Sequence, residues 1–201
     1  MYPMKQFSEA CEENKQPILA VLEKEFAGCH SVLEIGSGTG QHAVFFASQL
    51  PHISWQPSDL PASHASINAW CAESPLDNLR TPLTLDVRSG HWPRDNYDAV
   101  FSANTTHIMD WPAVQDMFTG IGCILKPGGV FCLYGPFNYH RRYTSDSNAR
   151  FDEWLRQRDP ASGLRDFEDL DRLAGKNGMA LLCDYEMPVN NHLLVWRTET
   201  G

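Results

Sequence analysis

Apolar runs of strand length alternate with stretches of helical periodicity from residue 32 to the end of the chain. Val32, Leu33 and Ile35 begin the series, and 53–56, 82–87, 97–103 and 130–134 continue it. Between these runs, Ala43, Phe46, Ala47 and Leu50 recur at the spacing of one helix face. Ile67, Trp70 and Cys71 do the same, and so do Val114, Met117, Phe118, Ile121, Ile124 and Leu125. The pattern predicts parallel strands joined by crossover helices, hence an α/β sheet with helices on both faces. A helix from Asp146 with Phe151, Trp154 and Leu155 inward is expected, and Phe167, Leu170, Leu173 and Ala174 predict one more helix. The runs 180–185 and 192–197 predict two last strands joined through 187–191 as a hairpin, which makes the final strand antiparallel. Ahead of the series, 5–28 reads as helical. Pro17 is expected to interrupt it and start a second helix carrying Ile18, Leu19, Leu22 and Phe26, closed by Gly28.

The first apolar run turns into its helix through Gly36-Ser37-Gly38-Thr39-Gly40. Glycines let the backbone turn tightly and approach a ligand, and the helix start supplies free N–H groups, so the geometry is that of a nucleotide-cofactor site. The spacing is G-x-G-x-G rather than G-x-G-x-x-G, and Glu34 stands two residues before the first glycine. A carboxylate there would repel a pyrophosphate but not a cofactor carrying an ammonium and a sulfonium. About 20 residues beyond Gly40, Asp59 falls where such folds place an acid that accepts both ribose hydroxyls. Asp59 could equally cap the helix that begins at Pro61.

Glu34-Ile35-Gly36-Ser37-Gly38-Thr39-Gly40 resembles motif I of the class I S-adenosylmethionine-dependent methyltransferases, and Leu125-Lys126-Pro127-Gly128-Gly129 before a strand resembles a second hallmark of that family. The resemblance implies a Rossmann-like seven-stranded sheet, mostly parallel with an antiparallel last strand. It implies S-adenosylmethionine as cofactor and S-adenosylhomocysteine as product. Glu34, Gly36, Ser37, Gly38 and Gly40 would surround the methionine end, with Asp59 and Leu60 at the ribose. Asp86 would meet the adenine amino group, Val87 would pack on the ring, and Asn104 would stand at the end of strand 4. The leading helix would cover the cofactor mouth, with Asn14 and Lys15 able to reach the ligand unless they form a solvated face. More narrowly, the stretches 59–64, 104–111 and 138–151 and the Met-Pro-x-Asn-Asn turn resemble a methyltransferase-like family of unassigned substrate.

A chain of 201 residues suits one α/β domain over 1–201, with 1–28 as a helical cap and 138–165 as a helical insertion near the substrate site. The net charge of −9 disfavours a polyanionic partner, so no nucleic acid is expected. The sequence carries no apolar leader and no membrane-length run, and its six cysteines form no C-x-x-C pair. Free thiols, a cytoplasmic location and no membrane partner are the corresponding expectations. The histidines form no H-E-x-x-H pair, so no metal is expected.

The insertion is basic and aromatic in an acidic protein, which makes Tyr139, Arg142 and Tyr143 candidate substrate residues along with Asn14. A lid whose Arg156, Arg158 and Arg165 pair with Asp152, Asp159 and Asp166 is the alternative. His107 and His140 are the candidate bases, because imidazole titrates near working pH. Asn104 is not followed by the Pro-Pro-aromatic run of base-nitrogen methylation, and no Pro-Cys dipeptide is present. The expectation is methyl transfer to oxygen or nitrogen of a small molecule, anionic if the insertion binds it. The alternatives are a nicotinamide-dependent oxidoreductase and a non-catalytic S-adenosylmethionine-binding module.

Overall fold

In the computed structural model, which describes residues 5–200, the alternating part of the chain forms β1 (Ser31–Ile35), β2 (Ser54–Asp59), β3 (Leu83–Thr84), β4 (Tyr97–Ala103) and β5 (Leu125–Gly135). Residues 1–4 of the expected cap, and Gly201, lie outside that description. Helices α1 (Glu9–Glu25), α2 (Gln41–Gln49), α3 (Pro61–Glu73) and α4 (Trp111–Ile124) precede or connect these strands. The chain continues through β6 (Phe137–Asn138), α5 (Asp146–Arg158), β7 (Arg165–Asp166), α6 (Phe167–Lys176), β8 (Met179–Met187) and β9 (Asn191–Thr198). The main sheet runs β3-β2-β1-β4-β5-β9-β8, and only β9 is antiparallel to its neighbours. This is the Rossmann-like seven-stranded sheet that the resemblance implies. Strand order reverses between β1 and β4, and their carboxyl ends therefore flank the crevice where open α/β sheets bind ligands.

Alternation along the strands sends side chains to two cores. Leu33, Ile35, Val100, Phe131, Leu133 and Trp196 face α4 and α6, whereas Val32, Ala99, Phe101, Cys132 and Val195 face α1 and α2. Helix α4 buries Val114, Met117, Phe118, Ile121 and Ile124, as its spacing requires. The six cysteines are free, and among the described residues no helix is long and apolar enough to cross a membrane.

Several boundaries differ from the sequence reading, each for a physical reason. Pro17 does not divide the leading segment; α1 is continuous with Pro17 inside it. The lost N–H and the crowding of the Glu13 carbonyl are tolerated because Ile18, Leu19 and Leu22 are buried in the core. Pro17→Ala should therefore raise stability by about 1 kcal/mol, seen as a higher urea midpoint at unchanged slope. An unchanged midpoint would mean that the helix is not strained there.

Leu125 leaves α4 and pairs with Tyr97 at the start of β5. Strand β3 keeps only two residues, because the chain turns at Asp86, whose carboxylate and carbonyl accept Arg88 N–H and Ser89 N–H. Strand β2 runs through Pro57, which falls between the Trp55 contacts to 78–80 and the Asp59–Thr84 pair. Its ring is accommodated opposite Glu34 of β1, just before the Ser58–Leu83 pair with β3. In α5 the inner face is Asn148, Asp152 and Leu155, while Trp154 is 48 % exposed and carries the Arg158 guanidinium over its ring.

Candidate functional site

A cavity of about 860 Å³ opens at the carboxyl ends of β1 and β4. It is floored by the glycine loop between β1 and α2 and walled by the ends of β2 and β4, the turn after β3, α1, α5 and the β8–β9 hairpin. The three loop glycines do different things. A Cβ on Gly40 would lie 2.8 Å from the Ile67 Cα, and one on Gly36 would run into the Thr105 side chain; these two glycines permit close packing. Gly38 has a φ of 56° and nothing within 4 Å of a built Cβ, and it lines the cavity. Its Cβ position faces open space rather than the core.

Asp59 ties the loop to the end of β2. One carboxylate oxygen accepts the Gly38 N–H at 2.7 Å, and the other accepts the Leu60 N–H at 2.7 Å. Leu60, not Asp59, is the N-cap of α3, and no side chain caps that helix. A carboxylate has about four acceptor positions, so Asp59 retains capacity toward the cavity it lines. Leu60, Asp86 and Val87 line the same wall.

Glu34 occupies a different position from the one its charge suggests. It is 2 % exposed and does not line the cavity; one of its carboxylate oxygens accepts from Ser37 Oγ and Trp55 Nε1, both at 3.0 Å. Its backbone carbonyl accepts from Ser58 Oγ at 2.6 Å. Burial raises its pKa to about 7 against the lowering effect of those two hydrogen bonds. Glu34 is thus a brace behind the loop.

Helix α1 closes one side. Ser8 caps α1 through Cys11 N–H, and its own N–H donates to Gln41 Oε1 at 2.6 Å, which docks the helix start on α2. Asn14 is buried at the cavity wall, with Oδ1 bonded to His42 Nε2 at 2.7 Å. Burial drops the His42 pKa to about 4. Lys15 instead pairs with Glu12.

The other side is built around the end of β4. Asn104 has a φ of 58°, its N–H donates to the Tyr134 carbonyl at 2.9 Å, and it lines the cavity with His107. The His107 imidazole is buried, edge-on to Phe151 at 5.3 Å, and its pKa falls to about 4 through burial and the nearby Arg165 charge. The structure places His140, Tyr139, Arg142 and Tyr143 outside the cavity. The His140 side chain is 86 % exposed and pairs with Glu168. Tyr139 donates to Asp184 and Tyr143 to Asp152, each at 2.7 Å. Among the described residues no three His, Cys, Asp or Glu side chains gather as a metal site needs.

Sequence reasoning missed Phe151, Val189 and Asn191 as wall residues. Ser147, Asn148 and Phe151 share one face of α5 at i, i+1, i+4, a signal that could have found the first. The second lay in the Met-Pro-x-Asn-Asn turn.

The family model described as "Protein of unknown function (DUF938)" matches residues 5–198. The chain belongs to this family. The fold of this DUF938 chain is similar to an O-methyltransferase family protein from Burkholderia thailandensis, with a TM-score of 0.81 at 18 % identity over 96 % of this chain and 58 % of that one. It is also similar to human N-acetylserotonin methyltransferase in complex with S-adenosylmethionine, with a TM-score of 0.78 at 15 % identity over 96 % of this chain and 53 % of that one. The DUF938 chain spans little more than half the length of each. At such identities the likeness carries the fold, which is that of the class I S-adenosylmethionine-dependent methyltransferases.

Proposed function

We propose that this DUF938 chain is an S-adenosylmethionine-dependent methyltransferase acting on a small molecule. The observation that carries the reading is the open face of Gly38 beside the Asp59 carboxylate, at the sheet's switch point. The cavity's charge fits the cofactor. Its lining includes Glu13, Asp59 and Asp86, and the single lining arginine, Arg88, pairs with Asp110 at 3.0 Å. A cationic ligand is favoured there and a pyrophosphate is not. The same field opposes nucleic acid.

In this reading Gly36, Gly38 and Gly40 shape the loop, Ser37 and Glu34 hold it, Asp59 and Leu60 take the ribose, and Asp86 and Val87 take the adenine. Asn104 and Asn14 close the methionine end. The cofactor, when bound, supplies an electrophilic methyl group on a sulfonium. The protein's own contribution is to align the acceptor and exclude water.

His107 is neutral at working pH, and with a pKa of about 4 it is a weak proton acceptor, so its role is to orient the acceptor's proton-bearing group by a hydrogen bond. His107→Ala should lower kcat by about tenfold, less than the loss of a strong general base. Because the ring is already neutral above about pH 5, the wild-type rate should show no inflection from this group above that pH. A rate profile that titrates near neutrality and flattens in the variant would assign it a base role instead.

The functional test is incubation of the full chain with methyl-labelled S-adenosylmethionine and a broad metabolite mixture. Label should pass to a small molecule. Cofactor binding without transfer to any component would favour a binding module, and NAD binding in place of S-adenosylmethionine would favour an oxidoreductase.

A further inference from the structure

Resting on the methyltransferase reading, we propose that the acceptor is an uncharged aromatic hydroxy compound, its ring held by Phe151 and Val189 and its hydroxyl by His107. The cavity is electrically divided. Asp59, Asp86 and Arg88 follow β2 and β3, and Glu13 stands on α1. The wall contributed by the β8–β9 hairpin and α5 lies beside β9, four places along the sheet from β2, and holds no charged side chain. A carboxylate or phosphate seated there would be desolvated without a partner, and the carboxylates across the cavity would repel it.

Three of the insertion's arginines are committed elsewhere. Arg156 pairs with Asp152 at 2.8 Å, and Arg158 lies 4.6 Å over the Trp154 ring. Arg165 donates to the carbonyls of Thr106, Met109 and Ala161. None of the insertion's arginines lines the cavity.

What this wall does present is apolar. Phe151 lines it, and Ile108 and Val189 are 59 % and 75 % exposed at its mouth. Val189 is a β-branched residue at a φ of 60°, followed by Asn190 at 57°, a strained conformation that persists only where neighbours impose it. The Asn190 carbonyl is clamped by Asn148 Nδ2 at 3.1 Å. The strained turn keeps Val189 in the lining of the same cavity as Phe151.

Ser147, Asn148 and Asn191 line it beside these groups, and His107 stands against Phe151 from the end of β4. His107 is 5 % exposed and lines the cavity, and its ring nitrogens, which bond no other described residue, stay open to that space. A ligand hydroxyl can replace solvent at these nitrogens and satisfies them without adding charge.

The test is calorimetric titration of the full chain, saturated with S-adenosylhomocysteine, with naphthol, naphthoate and naphthylmethylammonium as probes of one ring system and three charges. Naphthol should bind about tenfold or more tightly than either ion, a difference of about 1.4 kcal/mol. Phe151→Ala and Val189→Asn should each weaken naphthol about fivefold while leaving S-adenosylhomocysteine affinity unchanged. Asparagine tolerates the left-handed φ, so the second variant keeps the hairpin intact. Equal or tighter binding of an ion, no naphthol binding, or naphthol binding indifferent to both variants overturns the acceptor class with the cofactor reading intact. Failure of S-adenosylhomocysteine itself to bind overturns the methyltransferase reading first.

Discussion

Gly38→Val should raise the dissociation constant for S-adenosylhomocysteine on the order of 100-fold while the sheet stays formed. Two effects add. The valine methyl groups enter the face on which nothing lies within 4 Å of a built Cβ, which is the face the cofactor is proposed to approach. A β-branched residue at a φ of 56° also costs about 1–2 kcal/mol, so the loop shifts from the geometry that lets Gly38 N–H reach Asp59. For a chain of this size that strain lowers Tm by only a few degrees. Gly40→Val is the matching control. Its side chain meets the Ile67 backbone, so the packing of α2 on α3, and with it Tm, should fall well before affinity can be compared. A folded Gly38→Val protein with unchanged affinity would sink the proposed site.

The second large effect is a pH dependence. Glu34 titrates near 7 in the folded chain and near 4.3 when unfolded. Its neutral form is the one the fold favours, so its contribution is fully present below about pH 4 and is lost as pH rises through 7. The loss is on the order of 3 kcal/mol. His42 and His107 act in the opposite sense, because their folded pKa values of about 4 lie below the free value. Their neutral burial costs stability only below about pH 6.5, as the unfolded chain takes up protons. The whole-protein curve therefore mixes the two. The difference between wild type and Glu34→Gln isolates the carboxyl: measured by urea unfolding from pH 4 to 8, wild type should lose about 3 kcal/mol relative to the variant. Parallel curves would show that Glu34 is ionised throughout and is not the brace described above.

The fold was largely legible because strand runs and helix faces are local patterns, and each of the five predicted inner strands lies where its apolar run stands. The misreadings have separate causes, one distant and one local. Pro17 stays inside a helix because its neighbours are buried in the core, and β3 is short because Asp86 turns the chain. The donor side of the site was legible for a related reason. A glycine loop and the acids at strand ends are placed by backbone geometry, which the sequence specifies directly. The rest depends on which way side chains face. Glu34 reads as a charge in sequence, but the fold buries it, and burial favours the neutral carboxyl although Trp55 in the next strand donates to it. Tyr139 and Tyr143 read as substrate residues in a basic segment, yet Asp184 and Asp152 hold them elsewhere. Phe151 reads as core because helical spacing does not distinguish a buried face from a cavity wall.

The most direct measurement is isothermal calorimetry of the full chain with S-adenosylmethionine, S-adenosylhomocysteine and NAD in turn. One site of micromolar order, about −8 kcal/mol, is predicted for the first two, with no heat from NAD. Binding of NAD, or no binding of either adenosyl compound by the folded chain, would contradict the account.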